Sequence, residues 1–116
     1  VTAIYLETPV NDKCDMAQGP LPTNGVESIG TIVNASFTSN CCRSGCRVVR
    51  GVWYFVIGTG ASFTVSVQGQ GFRAFVSVQE GECNNLSCTR TGTFSEIAWV
   101  TVVGKLYYLY VYDFAP

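Results

Sequence analysis

Hydrophobic and polar residues alternate with a period of two along most of the chain. The pattern is clearest in two stretches, ASFTVSVQ at 61–68 and RAFVSVQ at 73–79. Successive side chains of a β-strand point to opposite faces, so each stretch predicts a half-buried strand. The GQG at 69–71 predicts a hairpin connection between them. The inward positions are Phe63, Val65 and Val67 in the first stretch and Ala74, Val76 and Val78 in the second.

Further β-rich runs bring the expected number to about seven strands. They lie at residues 1–6, 28–37, 47–58, 95–103 and 106–114. The run at 95–103 is apolar on both faces, which is typical of a central strand. Gly104 and Lys105 then predict a turn into the last strand. No stretch keeps a helical period over three turns, and only residues 14–18 predict a helical turn.

Short, regularly spaced strands separated by Gly, Asn, Ser and Pro are typical of an antiparallel sandwich of two sheets. The 116 residues suffice for one domain, and 47% are hydrophobic, so a core can form. Seven basic and eight acidic residues give a net charge of −1, without a basic tract that would attract nucleic acid. No apolar run is long enough to cross a bilayer, so we expect no membrane insertion.

Six cysteines and no histidine direct the chemistry toward disulfides. The cysteine spacings fit an all-cysteine zinc site poorly, whereas an even count with few charges is typical of a secreted, disulfide-bonded domain. We expect Cys83–Cys88 to close a short loop between two strands. Cys14 is expected to pair with Cys41 or Cys42, and Cys46 with the other, since adjacent cysteines bridge only under strain. Two sequons make Asn34 and Asn85 candidate glycosylation sites of a cell-surface or extracellular protein.

Aromatic residues give two candidate surfaces. Tyr108, Tyr110 and Tyr112 share one face of the last strand, which suits sugar stacking, a protein interface or cross-strand packing beneath a loop. The Trp53–Tyr54 pair is a second candidate platform, although its alternation favours Trp53 in the core and Tyr54 on the opposite face.

Acidic residues offer weak alternatives. Asp12 and Asp15, with Asn11, are candidate cation ligands, but Asn-Asp ahead of a short helical turn more often caps that turn. Without histidine the commonest general base is absent, and Glu80 and Glu82 look like a solvated rim beside Cys83. We therefore expect no catalytic site, no metal and no cofactor.

Several motifs stand in a recognisable order along the chain. They are NDKCDMAQGPL at 11–21, ESIGTIVNAS at 27–36, GVWYFVIGTG at 51–60, FRAFVSVQEGECNNLSC at 72–88 and WVTVVGKLYYLYVYDF at 99–114. This order resembles the pre-peptidase C-terminal (PPC) type of domain, in its cysteine-containing version from secreted and surface proteins of bacteria and algae. The resemblance covers residues 11–116. It implies a jelly-roll β-sandwich appended to enzymes or strung along surface proteins.

Two departures from that family qualify the resemblance. Relatives carry Phe-Asp-Thr where this chain has Phe72, Arg73 and Ala74, and acidic residues follow their last cysteine pair where this chain has TRTGTFS at 89–95. Calcium requires six to eight oxygen ligands, so the family's calcium site is not expected here. Relatives also continue to one more strand, which leads us to expect a sandwich that lacks its last strand.

These observations predict a non-enzymatic, extracellular structural or adhesion module. Residues 1–10 would form an N-terminal strand that pairs with a neighbouring subunit or domain, as in the repeating unit of a surface fibre. A carbohydrate-binding module, with polysaccharide as its partner, is the first alternative. An accessory domain of a secreted protease is the second.

Overall fold

Two antiparallel β-sheets and one short 3₁₀ turn build the fold. The computed structural model describes residues 9–23, 28–42, 47–90 and 95–113. The 3₁₀ turn is Cys14–Met16, and the strands are β1 (Phe37–Asn40), β2 (Arg47–Ile57), β3 (Ser62–Ser66), β4 (Ala74–Glu82), β5 (Asn85–Cys88), β6 (Glu96–Val100) and β7 (Leu106–Asp113). The expected all-β class with antiparallel sheets is confirmed.

The larger sheet has five strands in the order β1-β2-β7-β4-β5 and curls into a half-barrel. Its two long strands, β2 and β7, pair from Arg50 opposite Asp113 to Ile57 opposite Leu106. β4 then pairs with the other side of β7. Three of the predicted strands, at 47–58, 73–79 and 106–114, therefore lie side by side at the centre of this sheet.

Among the described residues, the smaller sheet consists of β3 and β6. Its inward residues Phe63, Val65, Ile97 and Trp99 pack on one face of the larger sheet. There they meet a buried cluster from β2, β4 and β7, which consists of Val56, Val76, Val78, Tyr107 and Leu109. Full burial of such a side chain contributes about 1.5–3 kcal/mol, so this cluster is the main hydrophobic core.

The opposite face of the larger sheet is covered by chain without regular secondary structure. The N-terminal segment, defined as residues 9–21, runs along the edge of β2 where β1 ends. The Trp53 amide donates to the Asn11 carbonyl (2.8 Å), and the Gln18 amide donates to the Trp53 carbonyl (3.2 Å). Cys14 and Ala17 pack against a buried cluster that contains Trp53 and Tyr110. Both faces of the larger sheet are therefore partly shielded from water.

Several predictions of strand position are confirmed, but their partners differ. β3 and β4 occupy the predicted stretches, yet they belong to different sheets, so the hairpin at 69–71 is wrong. The run at 95–103 gives β6, which is an outer strand of the small sheet and alternates between exposed and buried residues. Residues 28–36 are not a strand, and β1 begins only at Phe37. The turn at Gly104 is confirmed, with a positive φ of 77° that favours glycine.

The jelly-roll arrangement implied by the PPC resemblance is not confirmed, because five strands fall in one sheet and only two in the other. The predicted strand at 1–6 lies outside the described residues. Within the proposed first segment only Pro9 and Val10 are described, and Val10 is exposed at a turn.

The disulfide prediction is wrong for Cys14, Cys42, Cys83 and Cys88. Cys14 bonds Cys83, and Cys42 bonds Cys88, across sequence separations of 69 and 46 residues. Cys83 and Cys88 cannot pair with each other because they lie at opposite ends of the two-strand β4–β5 hairpin, Cys83 in the turn and Cys88 opposite Gln79. Cys41 is also disulfide-bonded, and the predicted partner Cys46 lies outside the described residues.

Candidate functional site

The row of tyrosines on β7, a candidate binding surface, is largely buried. Tyr110 and Tyr112 are buried, with at most 1% of either residue exposed, and Tyr108 is half-buried. The Trp53 and Tyr110 rings lie with centroids 4.6 Å apart, and Tyr110 stacks on Tyr112 at 5.6 Å. Of the three expected roles, cross-strand packing beneath a covering segment is the one observed. Trp53 lies in this core, as expected.

Burial also changes the chemistry of Tyr110. Its hydroxyl donates to the Val49 carbonyl at 3.4 Å. Desolvation raises the pKa of Tyr110 to about 12, and a hydrogen bond with Thr38 partly opposes this rise. The side chain therefore stays neutral at ordinary pH and cannot serve as a general base.

Tyr54 lies on the other face of β2, as its alternation predicts. It is half-buried and packs against Val52 and Ala35 in a small cluster. A Cβ at Gly30 would overlap the Tyr54 hydroxyl, so only glycine allows the 28–36 loop to approach the ring. Tyr54 thus contributes to packing and does not form a flat exposed platform with Trp53.

Asn11 and Asp12 do not cap the helical turn, because residue Lys13 precedes it and no side chain caps it. Both are buried, and they fasten the N-terminal segment to β2 and to the loop that precedes β1. The Asn11 Nδ2 donates to the Trp53 carbonyl (2.9 Å), and Asp12 Oδ1 accepts the Ser36 amide (2.6 Å). Asp15 is exposed. The described residues contain no group of three or more metal-binding side chains.

Glu80 is held by partners on two sides. Its Oε1 accepts from Lys105 Nζ, and its Oε2 accepts from the Thr89 hydroxyl (2.9 Å). These bonds, led by the one from Lys105, lower the pKa of Glu80, and the same pair raises the pKa of Lys105. A lowered pKa makes a carboxylate a poor general acid. Glu82 is exposed beside the Cys14–Cys83 bridge, as the rim interpretation predicted.

The two sequons lie in different environments. Asn34 has a positive φ of 65° in a tight turn closed by the Ala35 amide and the Ile32 carbonyl, and it is half-buried. Asn85 is exposed at the start of β5, directly after the turn. Asn85 is therefore the more accessible of the two candidate glycosylation sites.

Strand edges are the surfaces that sequence reasoning did not locate. Among the described residues, β1 and β5 flank the large sheet, while β3 and β6 each lack a second neighbour. An open edge presents backbone N–H and C=O groups to another strand. One sequence feature bears on these edges, because residues 51–72 contain no charged residue. β3 lies inside that stretch.

Comparisons with known protein families, with curated proteins and with solved structures gave no match. No helix among the described residues is long and apolar enough to cross a membrane.

Proposed function

We propose that this chain is an extracellular, non-enzymatic structural module that acts by associating with other protein surfaces. The observation that carries the proposal is the small sheet, whose two strands have no second neighbouring strand among the described residues, on a disulfide-bonded scaffold. Open edges accept strands from other chains, and such pairing is a common way to build assemblies.

The disulfides support an extracellular location. Two bridges connect elements far apart in sequence, and both converge on the β4–β5 hairpin, at its turn and at its far end. Disulfides of this structural kind persist in oxidising compartments. The PPC resemblance supports the same proposal, since those domains are strung along surface proteins.

The carbohydrate-binding alternative has less support, because of its four candidate tyrosines Tyr108 is half-buried and the other three are enclosed by packing. Tyr110 and Tyr112 are buried, and Tyr54 packs against Gly30. Sugar recognition by stacking requires an exposed aromatic face. The protease-accessory alternative depends on neighbouring domains and makes no separate prediction for this surface.

Sedimentation velocity on the oxidised chain tests the proposal. We expect the average mass to rise with protein concentration between about 1 µM and 1 mM, because weak association follows mass action. A variant without residues 1–7 then separates strand donation by the N-terminus from association through the described sheets. A strict monomer throughout this range would overturn the proposal. Binding on a glycan array by that monomer would favour the carbohydrate alternative.

A further inference from the structure

Backbone geometry shows which groups β3 presents to a partner. The Thr101 amide donates to the Ala61 carbonyl, and the Val67 amide donates to the Ser95 carbonyl. Hydrogen-bonded and non-bonded pairs alternate along an antiparallel ladder, so odd-numbered residues of β3 bond β6. The N–H and C=O groups of Ser62, Thr64 and Ser66 therefore point away from β6. We call this side of the strand the β3 edge.

The other three strand edges among the described residues carry features that protect them against pairing. On β6, Arg90 Nη1 donates to the outward Ala98 carbonyl (2.9 Å). β1 is only four residues long and lies beside Arg47 and Arg50. β5 also has four residues, and its partner strand carries Glu80 and Glu82. Charges and short length are the usual protection of strand edges against pairing.

Strand β3 itself carries no charge, no proline and no bulge over Ser62–Ser66. The charge of Glu96 lies on β6, where its Oε2 accepts from the Ser66 hydroxyl (3.0 Å). All 22 residues from 51 to 72 are uncharged. The inward residues Phe63 and Val65 are only half-buried, while Ser62, Thr64 and Ser66 are exposed. A strand added at this edge would complete the burial of the two apolar side chains and satisfy the outward backbone groups.

The sequence of β3 is complementary to itself. We propose that the β3 edge pairs with the β3 edge of a second copy of this chain, antiparallel, with Thr64 opposite Thr64 on a two-fold axis. Ser62 of each copy then faces Ser66 of the other, and Phe63 faces Val65. The polar residues thus form one face of a continuous four-stranded sheet, and the apolar residues form the other.

Charge favours a second copy as the occupant. An isologous contact places a surface against itself, so any charge at its centre would face a like charge. The uncharged β3 edge avoids that repulsion, and the net charge of −1 adds little. Cross-strand Thr–Thr and Ser–Ser pairs are also favourable in antiparallel sheets. The small contact implies weak association.

This inference rests on the proposed function and names the surface and the partner. The test compares Thr64→Pro with Ala98→Pro. Thr64 and Ala98 are exposed cross-strand partners, and the amide of each points to an outer edge, so proline should be tolerated in the monomer at both. Only Thr64→Pro would block the β3 edge.

Both variants and the wild-type chain are compared by sedimentation at about 1 mM, where weak complexes become populated, with circular dichroism to check folding. We expect the wild-type chain and Ala98→Pro to associate as dimers and Thr64→Pro to remain monomeric. If Thr64→Pro associates as strongly as the wild-type chain, the β3 edge is not the contact, although the proposed function survives. If the wild-type chain is monomeric, both proposals fail.

Amide hydrogen exchange on the wild-type chain gives a second readout that needs no variant. We expect exchange at Ser62, Thr64 and Ser66 to slow as protein concentration rises, while exchange at Ala98 stays constant. Concentration-independent exchange at all four amides would overturn the pairing, including when Thr64→Pro fails to fold.

Discussion

Removing the Cys14–Cys83 bridge should destabilise the chain strongly, even though both residues lie near the surface. The bridge ties the N-terminal segment, which covers Trp53 and Tyr110, to the turn between β4 and β5. We consider Cys14→Ala combined with Cys83→Ala, which leaves Cys42–Cys88 intact. The main expected consequence is more conformational freedom in the unfolded chain.

The magnitude follows from the length of the loop that the bridge closes. Because Cys42–Cys88 remains, the shortest closed path runs from Cys14 to Cys42, across that bridge, and from Cys88 back to Cys83. This path has roughly 33 residues, for which loop-closure entropy gives about 4 kcal/mol at 25 °C. Removing Cys42–Cys88 instead opens a loop of the same length. Cys42 is also 1% exposed, so we expect that second variant to lose about 1 kcal/mol more through packing.

Guanidinium denaturation of the oxidised wild-type chain and of the two double variants measures these differences. Both variants should lose several kcal/mol of unfolding free energy, and the loss should be larger on removing Cys42–Cys88, because Cys42 is buried. A loss below about 1 kcal/mol for Cys14→Ala with Cys83→Ala would refute the entropic argument. A larger loss on removing Cys14–Cys83 than on removing Cys42–Cys88 would refute the ranking.

Three further predictions concern single side chains. Thr101→Val should lower the free energy of unfolding by about 2–3 kcal/mol, because its buried hydroxyl accepts two backbone amides and donates to a carbonyl. Glu80→Gln should flatten the dependence of stability on pH. The pKa of Glu80 is lowered on folding, so its contribution is present above its ordinary value of 4.5 and is lost as pH falls through the folded pKa. Lys105, with a raised pKa, contributes below 10.5 and loses that contribution as pH rises. In a eukaryotic secretory host, peptide mass spectrometry should find a glycan at Asn85 but not at Asn34.

Each of these has a matched control. Thr101→Ser keeps the hydroxyl and should retain most of the stability, so equal losses for Val and Ser would contradict the hydrogen-bond argument. Lys105→Gln should flatten the same two pH ranges as Glu80→Gln, since the two groups act on each other. Occupancy at Asn34 with none at Asn85 would show that accessibility in the folded chain does not decide glycosylation.

Periodicity located the strands that carry a strong alternating pattern. β3 alternates between exposed and half-buried residues over Ser62–Ser66, as predicted, and β7 ends within one residue of its predicted limit among the described residues. The strand prediction for residues 28–36 is wrong because their apolar side chains belong to a loop that pairs with no strand. Ile32 and Ala35 pack on Val52 from that loop. Apolar content alone does not distinguish a strand from a loop that covers a core.

Partners in space were harder to predict than strands. The Gly-rich 69–71 link suggested a hairpin, but the chain crosses there from the small sheet to the large one. Cysteine pairing failed for a related reason. Cys83 and Cys88 are close in sequence, yet a regular two-strand hairpin separates them, and its turn faces Cys14. Both outcomes depend on tertiary packing, which local spacing does not report.

The tyrosine strand shows how one pattern admits opposite functions. A row of tyrosines at alternate positions is equally consistent with an open platform and with a covered one. The deciding element is the N-terminal segment, which bonds Trp53 through Asn11 and Gln18. The hydrophobic residues of this segment follow no regular period, so its sequence does not predict that it packs on a sheet.

The unequal sheets connect the disulfides with the proposed association. A two-stranded sheet is marginal on its own, and β3–β6 persists here because Trp99 and Ile97 insert into the main core. It packs on one face of the larger sheet, whereas irregular chain covers part of the opposite face, where a bridge through Cys14 holds the N-terminal segment in place. These segments add few charges and leave the β3 edge open among the described residues. A chain that acts alone would gain from a lysine or a proline at that edge. Residues 51–72 contain neither lysine nor proline, as expected if a strand of another chain covers this edge in the assembled protein.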